Sequence, residues 1–238
     1  MLENKTSIVD DRGYNQGFRE TPALRKRMER RAQWMIDLMD RDENKKVLEI
    51  GCGTGFVSWY IARQTGMQVT GSDLCVPFIE EARIKYPLSN LVYDTIDFNT
   101  EASGINDQYD YIIGNGILHH LYYNLDAVLQ SFRKLLRPEG RIIFMEPNIY
   151  NPYVAAIFKV APMRKWAKLE PDEMAFSRSF INAKLKSAGF RNIDTRYKDF
   201  LLPGVTSFLI RPSIVVGNLL EKTPLKVISQ SILITADA

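Results

Sequence analysis

The residues best suited to chemistry in this 238-residue chain begin in the stretch VLEIGCGTGFVS, residues 47–58. Gly51, Gly53 and Gly55 alternate directly after an apolar run that carries one acid, Glu49. Glycine lets the chain turn sharply and lets a ligand touch bare backbone. Where such a loop joins a strand to a helix, its N–H groups gather at the helix N-terminus, beyond the end of the strand. Two ligand classes compete for that place. A dinucleotide wants G-x-G-x-x-G, but the spacing here is G-x-G-x-G, with Phe56 at the third dinucleotide position. Glu49 would repel a diphosphate and suits a ligand with a cationic end. A phosphate loop also fails, because no Gly-Lys-Ser/Thr follows.

Further acids close the next apolar runs. Asp73 stands 22 residues after Gly51, where a carboxylate can accept hydrogen bonds from both hydroxyls of a ribose. Asp97 follows a third run and precedes Phe98; such an acid can accept from an exocyclic amine while the ring lies near a base. A lone Asp more often caps a helix or starts a turn. Three acids at three successive strand ends, with the glycine loop, describe a ligand with an adenosine part and a positively charged part. His119 and His120 are the only histidines, and imidazole has the intrinsic pKa of a proton acceptor. They are the candidate catalytic residues, His119 ahead of His120, and packing of their loop is the competing role. Glu146 ends a fifth run and either contacts substrate or caps a turn; Asn148 and Tyr150 join it as candidate substrate contacts. Two adjacent histidines and two distant cysteines, Cys52 and Cys75, lack zinc-ligand spacing, so no metal is expected. An oxygen-only magnesium site stays open.

Strands and helices must alternate to hold these groups together. Short apolar strands are predicted over 46–50, 67–72, 91–96, 109–114 and 141–146, with helices over 56–64, 76–86 and 125–136 and a turn at 137–140. Near-continuous apolar strands between helices predict a parallel sheet covered on both faces. Before them, Thr21-Pro22 starts a helix that should end near Asp42. Its basic run RKRMERR reads as a solvated face. After Pro147 the rhythm breaks. A helix over 176–188 and strands over 192–197 and 229–235 alternate with two apolar, proline-containing stretches, 147–175 and 201–226. These read as insertions over one edge of a single sheet domain.

VLEIGCGTGFVS, the strand-end Asp in VTGSDL, the acid in TIDF, NGILHHL, and LLRPEGRIIFMEP occur in order at suitable spacing. Over roughly residues 45 to 147 the chain resembles the class I S-adenosylmethionine-dependent methyltransferases of small-molecule type. LKSAGFRNIDT and SILITAD resemble that family's last helix and antiparallel strand pair. The resemblance implies an α/β, Rossmann-like three-layer sandwich, with a mostly parallel seven-stranded sheet and an antiparallel last strand. It implies an N-terminal arm and helix over 1–45 forming part of a cofactor lid, and a methyltransferase domain over 46–238. It implies S-adenosylmethionine as cofactor and S-adenosylhomocysteine as product. Gly51, Cys52 and Gly53 would meet the methionine part, Asp73 the ribose and Leu74 the adenine. Asp97 and Phe98 would meet the adenine amine and ring; Asn115 and Gly116 would approach the sulfonium and amino group. The histidines would lie near the methyl, and Tyr14, with Phe18, would fold over the cofactor.

Composition bounds the rest. Apolar residues make up 45%, enough for a full core, and the net charge of +3 is too small for a nucleic-acid binder. The N-terminus lacks the apolar core of a signal peptide, no apolar run spans a membrane, and the cysteine count fits a cytoplasmic setting. Peripheral membrane contact stays open, as does the oligomeric state. The insertions read either as a lid on the sheet or as a pocket for a lipophilic acceptor, prenyl-linked, lipid-linked or polyketide-like. The expected reaction is methyl transfer to oxygen, nitrogen or carbon of a small acceptor. The alternatives are a nicotinamide-dependent oxidoreductase and a non-catalytic cofactor-binding protein on the same fold.

Overall fold

The computed structural model describes residues 21–98, 107–167, 169 and 173–238. Its strands are β1 (Lys46–Ile50), β2 (Gln68–Asp73), β3 (Leu91–Thr95), β4 (Tyr109–Asn115), β5 (Leu136–Pro147), β6 (Arg191–Lys198) and β7 (Ser231–Asp237). Its helices are α1 (Pro22–Ile36), α2 (Phe56–Thr65), α3 (Val76–Lys85), α4 (Leu125–Leu135), α5 (Pro152–Lys159), α6 (Ala161–Trp166), α7 (Arg178–Ser187) and α8 (Ile210–Leu220). The seven strands form one sheet in the order β3-β2-β1-β4-β5-β7-β6. β1 pairs in parallel with both β2 and β4, so the strand order reverses beside it. β7 lies antiparallel between β5 and β6. The mostly parallel, helix-covered sheet with an inserted antiparallel strand is the architecture expected from the sequence.

The pleat sorts side chains into two layers. Leu48, Ile50 and Ile112 join Phe132 and Phe144 on one face; Val47, Ile113 and Ile143 join Met35 and Ile61 on the other. All are at most 2% exposed, and burying each such side chain contributes roughly 1.5–3 kcal/mol. α4 supplies Leu125, Val128, Leu129 and Phe132 at helical spacing to the first layer.

Three local expectations are corrected. α1, capped by Thr21 and opened by Pro22, ends at Ile36 rather than near Asp42, where Asp42 instead closes a tight turn onto the Asn44 N–H. β5 begins at Leu136, and its register against β4 jumps from Leu136 to Arg141, so the predicted turn at 137–140 is an excursion inside the strand. The run RKRMERR is not a solvated face. Arg27 and Arg31, one turn apart, both reach Asp199, and the Arg25 guanidinium lies 3.8 Å over the Phe56 ring. These contacts fix α1 against the C-terminal ends of the strands.

Candidate active site

The glycine loop sits between β1 and α2, at the strand-order reversal. Its glycines have different reasons to be there. Gly51 and Gly55 have φ of +66° and +85°. A Cβ at Gly51 would fall 2.6 Å from the Ile117 side chain, and one at Gly55 2.6 Å from the Tyr93 hydroxyl. Gly53 also has positive φ, but nothing lies within 4 Å of its Cβ position. Only there does the absent side chain leave open space, so two of the three glycines are demanded by protein neighbours rather than by a ligand.

Asp73 builds the loop from the next strand. Its Oδ2 accepts from the Gly53 N–H at 2.8 Å and its Oδ1 from the Cys75 N–H at 2.9 Å. Burial pushes its pKa up, against the backbone donors that favour the carboxylate. Glu49 is buried and accepts a short hydrogen bond from the Ser58 hydroxyl. Burial raises its pKa to about 8, so without a cation beside it the group is protonated at neutral pH. Burial, with Glu49 and Asp73 nearby, also pushes the Cys52 thiol well up, which removes it as a nucleophile.

A cavity of about 290 Å³ opens over this loop. Glu49, Gly51, Cys52 and Gly53 line its floor, Asp73 and Leu74 one side, and Asp97 and Phe98 the next. Asn115, Gly116 and His120 complete the wall. Every predicted cofactor residue is thus brought to one cavity except Tyr14 and Phe18, which lie outside the described residues. Met28 of α1 also lines it. Arg31 holds Asn115 in place, its Nη1 donating to Asn115 Oδ1 at 2.8 Å while Nη2 donates to Ser231 Oγ and Nε to Asp199. Burial and neighbouring Arg27 lower the Arg31 pKa to about 10. Burial alone would raise Asp199, but the two guanidiniums outweigh it and hold the carboxyl at about 2. No sequence reading singled out Arg31; its i, i+4 spacing from Arg27 was the available signal.

The predicted substrate contacts are placed differently. Glu146 is fully buried. Its Oε1 accepts from the Ile117 and Leu118 N–H groups at 3.0 and 2.8 Å, and its Oε2 from the His119 N–H and Nδ1 at 3.3 and 2.9 Å. It caps the 3-10 turn Leu118–Asn124, so the turn-capping alternative is the one observed. Asn148 is also fully buried and donates to the Val227 and Ser229 carbonyls, tying the start of the first insertion to the residues that follow the second. Tyr150 is half exposed and does not line the cavity.

His119 is buried behind the wall, with its Cε1 3.6 Å from where a Gly116 Cβ would stand. With Nδ1 held by Glu146, its Nε2 lies 3.9 Å from Glu173 Oε2, beyond hydrogen-bond reach. His120 Nδ1 lies 3.3 Å from Glu173 Oε1, and burial with the adjacent His119 lowers its pKa. The donor atoms of His119, His120 and Glu173 fall within 4.8 Å of one another. Ligands around a tetrahedral zinc stand roughly 3.4 Å apart, so this set would have to contract to hold one ion.

Sheet order, glycine loop and strand-end acids define a Rossmann-like domain of the methyltransferase type. A family model described as "Methyltransferase domain" matches residues 48–142. Among curated proteins, "Hybrid PKS-NRPS synthetase mpsA" of Macrophomina phaseolina is 31% identical over 143 residues, covering 57% of this chain and 4% of that protein. "S-adenosyl-L-methionine-dependent Diels-Alderase iccD" of Talaromyces variabilis is 27% identical over 179 residues, covering 69% of this chain and 60% of that one. The chain therefore spans less than two thirds of either relative. The crystal structure of a SAM-dependent methyltransferase from Archaeoglobus fulgidus matches with TM-score 0.64 at 19% identity, over 90% of this chain and 94% of that one.

Proposed function

We propose that this chain transfers the methyl group of S-adenosylmethionine to an oxygen, nitrogen or carbon atom of a small, lipophilic acceptor. The observation that carries this reading is the convergence on one cavity of the Gly53 opening, the doubly anchored Asp73, the Asp97–Phe98 pair and Asn115–Gly116. Asp73 has lone pairs left for the ribose hydroxyls, Asp97 and Phe98 serve the adenine, and Glu49 meets the cationic end. When bound, the cofactor supplies an electrophilic methyl and a neutral thioether leaving group. The protein's part is alignment for in-line displacement and the handling of one proton. The two histidines are the groups placed to take that proton: His120 lines the cavity, and His119 stands behind it with Nδ1 held by Glu146. Glu146 fixes the His119 tautomer, the arrangement in which a carboxylate orients a general base. The stretches 147–175 and 201–226 cover the acceptor.

Calorimetric titration with S-adenosylmethionine and with NAD tests the ligand class; binding of NAD alone overturns it. Transfer of labelled methyl to acceptors presented in a cell extract tests the reaction, with His119→Ala expected to slow turnover more than it weakens cofactor binding. The Talaromyces relative's name favours one second reading, in which the cofactor is held but not consumed. Tight S-adenosylmethionine binding without formation of S-adenosylhomocysteine would favour that reading.

A further inference from the structure

Among the described residues, nine of the seventeen exposed large apolar side chains fall between Leu202 and Ile228. This is a concentration, not the usual scatter of single apolar residues over a surface. Its centre is the 3-10 turn Ser207–Leu209 running directly into α8. Phe208, Arg211, Val215, Leu219 and Lys222 follow one another at steps of three or four residues, so they share one helical face. Phe208 is 78% exposed, and Val215 and Leu219 are each 59% exposed. The opposite face anchors the helix. Gly217 is buried, and a Cβ there would stand 2.9 Å from Phe200 Cβ. Beside it, Asn218 Oδ1 accepts from Arg30 Nη2 at 2.8 Å.

The charges on this segment have one sign where they face outward. Arg211, Lys222 and Lys226 are exposed. The single acid, Glu221, is turned inward and holds Lys198 Nζ and the Asp199 N–H. The outward stripe thus offers aliphatic, aromatic and cationic groups and no side-chain acceptor. We propose that this face docks on the surface of an anionic lipid bilayer, with Phe208, Val215 and Leu219 in the acyl boundary and the three basic residues at the phosphates. This is the pattern of a helix that lies in the interface plane. No described helix is long and apolar enough to cross a membrane, so the contact is peripheral. A second copy is a poorer occupant. A two-fold interface sets each patch against itself, which here brings like charges face to face.

The segment is joined to the cavity through α1. Thr21 Oγ1 donates to the Pro203 carbonyl at 2.6 Å, at the start of α1, and Met28 of α1 lines the cavity. If the proposed methyl transfer holds, the acceptor class would be one dissolved in that bilayer. The acceptor class rests on the proposed function; the docking does not. The test is co-sedimentation of the full chain with phosphatidylcholine vesicles, with and without phosphatidylglycerol, alongside light scattering of the chain alone. The expected result is roughly tenfold or more enrichment on the anionic vesicles, weakened by salt. Phe208→Asp with Leu219→Asp should abolish it while circular dichroism and S-adenosylmethionine binding persist. Arg211→Glu with Lys222→Glu should remove the preference for anionic vesicles. Absence of binding to either vesicle would overturn the proposal, as would a dimer that the Asp variants dissociate. Methyl transfer is not the readout, so failure here and failure of the catalytic reading are separable.

Discussion

Replacing Asp73 with alanine isolates the step on which cofactor recognition depends. Each carboxylate oxygen already accepts one backbone N–H, from Gly53 at 2.8 Å and from Cys75 at 2.9 Å. A carboxylate oxygen has more than one acceptor site, so each retains capacity for a ribose hydroxyl. Two charge-assisted hydrogen bonds at about 1.5–3 kcal/mol each amount to at least about 3 kcal/mol, roughly a hundredfold in Kd. Burial raises the Asp73 pKa in the free protein, so the variant also escapes a desolvation cost, and global stability should fall less than affinity. Asp73→Asn keeps the shape but sets an NH2 group against one of the two backbone donors, and should bind with intermediate strength. Titration calorimetry with S-adenosylmethionine gives the affinities, and circular dichroism checks the fold. A Kd within about twofold of the parent for Asp73→Ala, with the fold intact, would refute the ribose role.

Three other outcomes follow from the same structure. Glu146→Ala leaves the Ile117, Leu118 and His119 N–H groups without their acceptor, at about 1–3 kcal/mol for each buried donor; a large drop in the urea midpoint is expected, and an unchanged midpoint would contradict the capping role. Asp199→Ala strands two guanidiniums and should cost about 3–5 kcal/mol. The folded-state value of about 2 lies below the ordinary 3.8, so the stability from this group is complete above pH 3.8 and is lost as pH falls through about 2. Urea melts of parent and variant should converge across that window. Glu49 is raised to about 8, so binding a cation beside it releases a proton below that pH. Cofactor affinity should therefore rise with pH up to about 8, and Glu49→Gln should flatten the parent's slope; parallel slopes would place the cation elsewhere.

The glycine loop, Asp73 and the strand alternation were legible because each rests on local rules of spacing and period. Residues separated far along the chain were not. Glu146 ends a strand at the cavity side of the sheet, and sequence alone left both substrate contact and turn capping open; what decides is its hydrogen bonds to residues 117–119. Asn148 looked available to a ligand until the Val227 and Ser229 carbonyls took its amide. RKRMERR failed for a related reason. A solvated face is the ordinary fate of such a run, and only the position of Asp199, 168 residues beyond Arg31, turns two of its guanidiniums inward. β5 was misjudged at its start because an Arg-Pro-Glu-Gly segment signals a turn, whereas the neighbouring strand resumes pairing on both sides of it.

The position of β7 governs when this protein can finish folding. Among the described residues β6 bonds to β7 and not to β5, so residues 191–198 leave the ribosome before that partner strand exists. Until residues 231–237 arrive, β5 and β6 both present unpaired edges, the template for association with other chains. Synthesis proceeds at roughly 5–20 residues per second, so that interval lasts seconds. The same late strand carries Ser231, which binds Arg31, so the helix over the cavity is secured at the moment the sheet is completed.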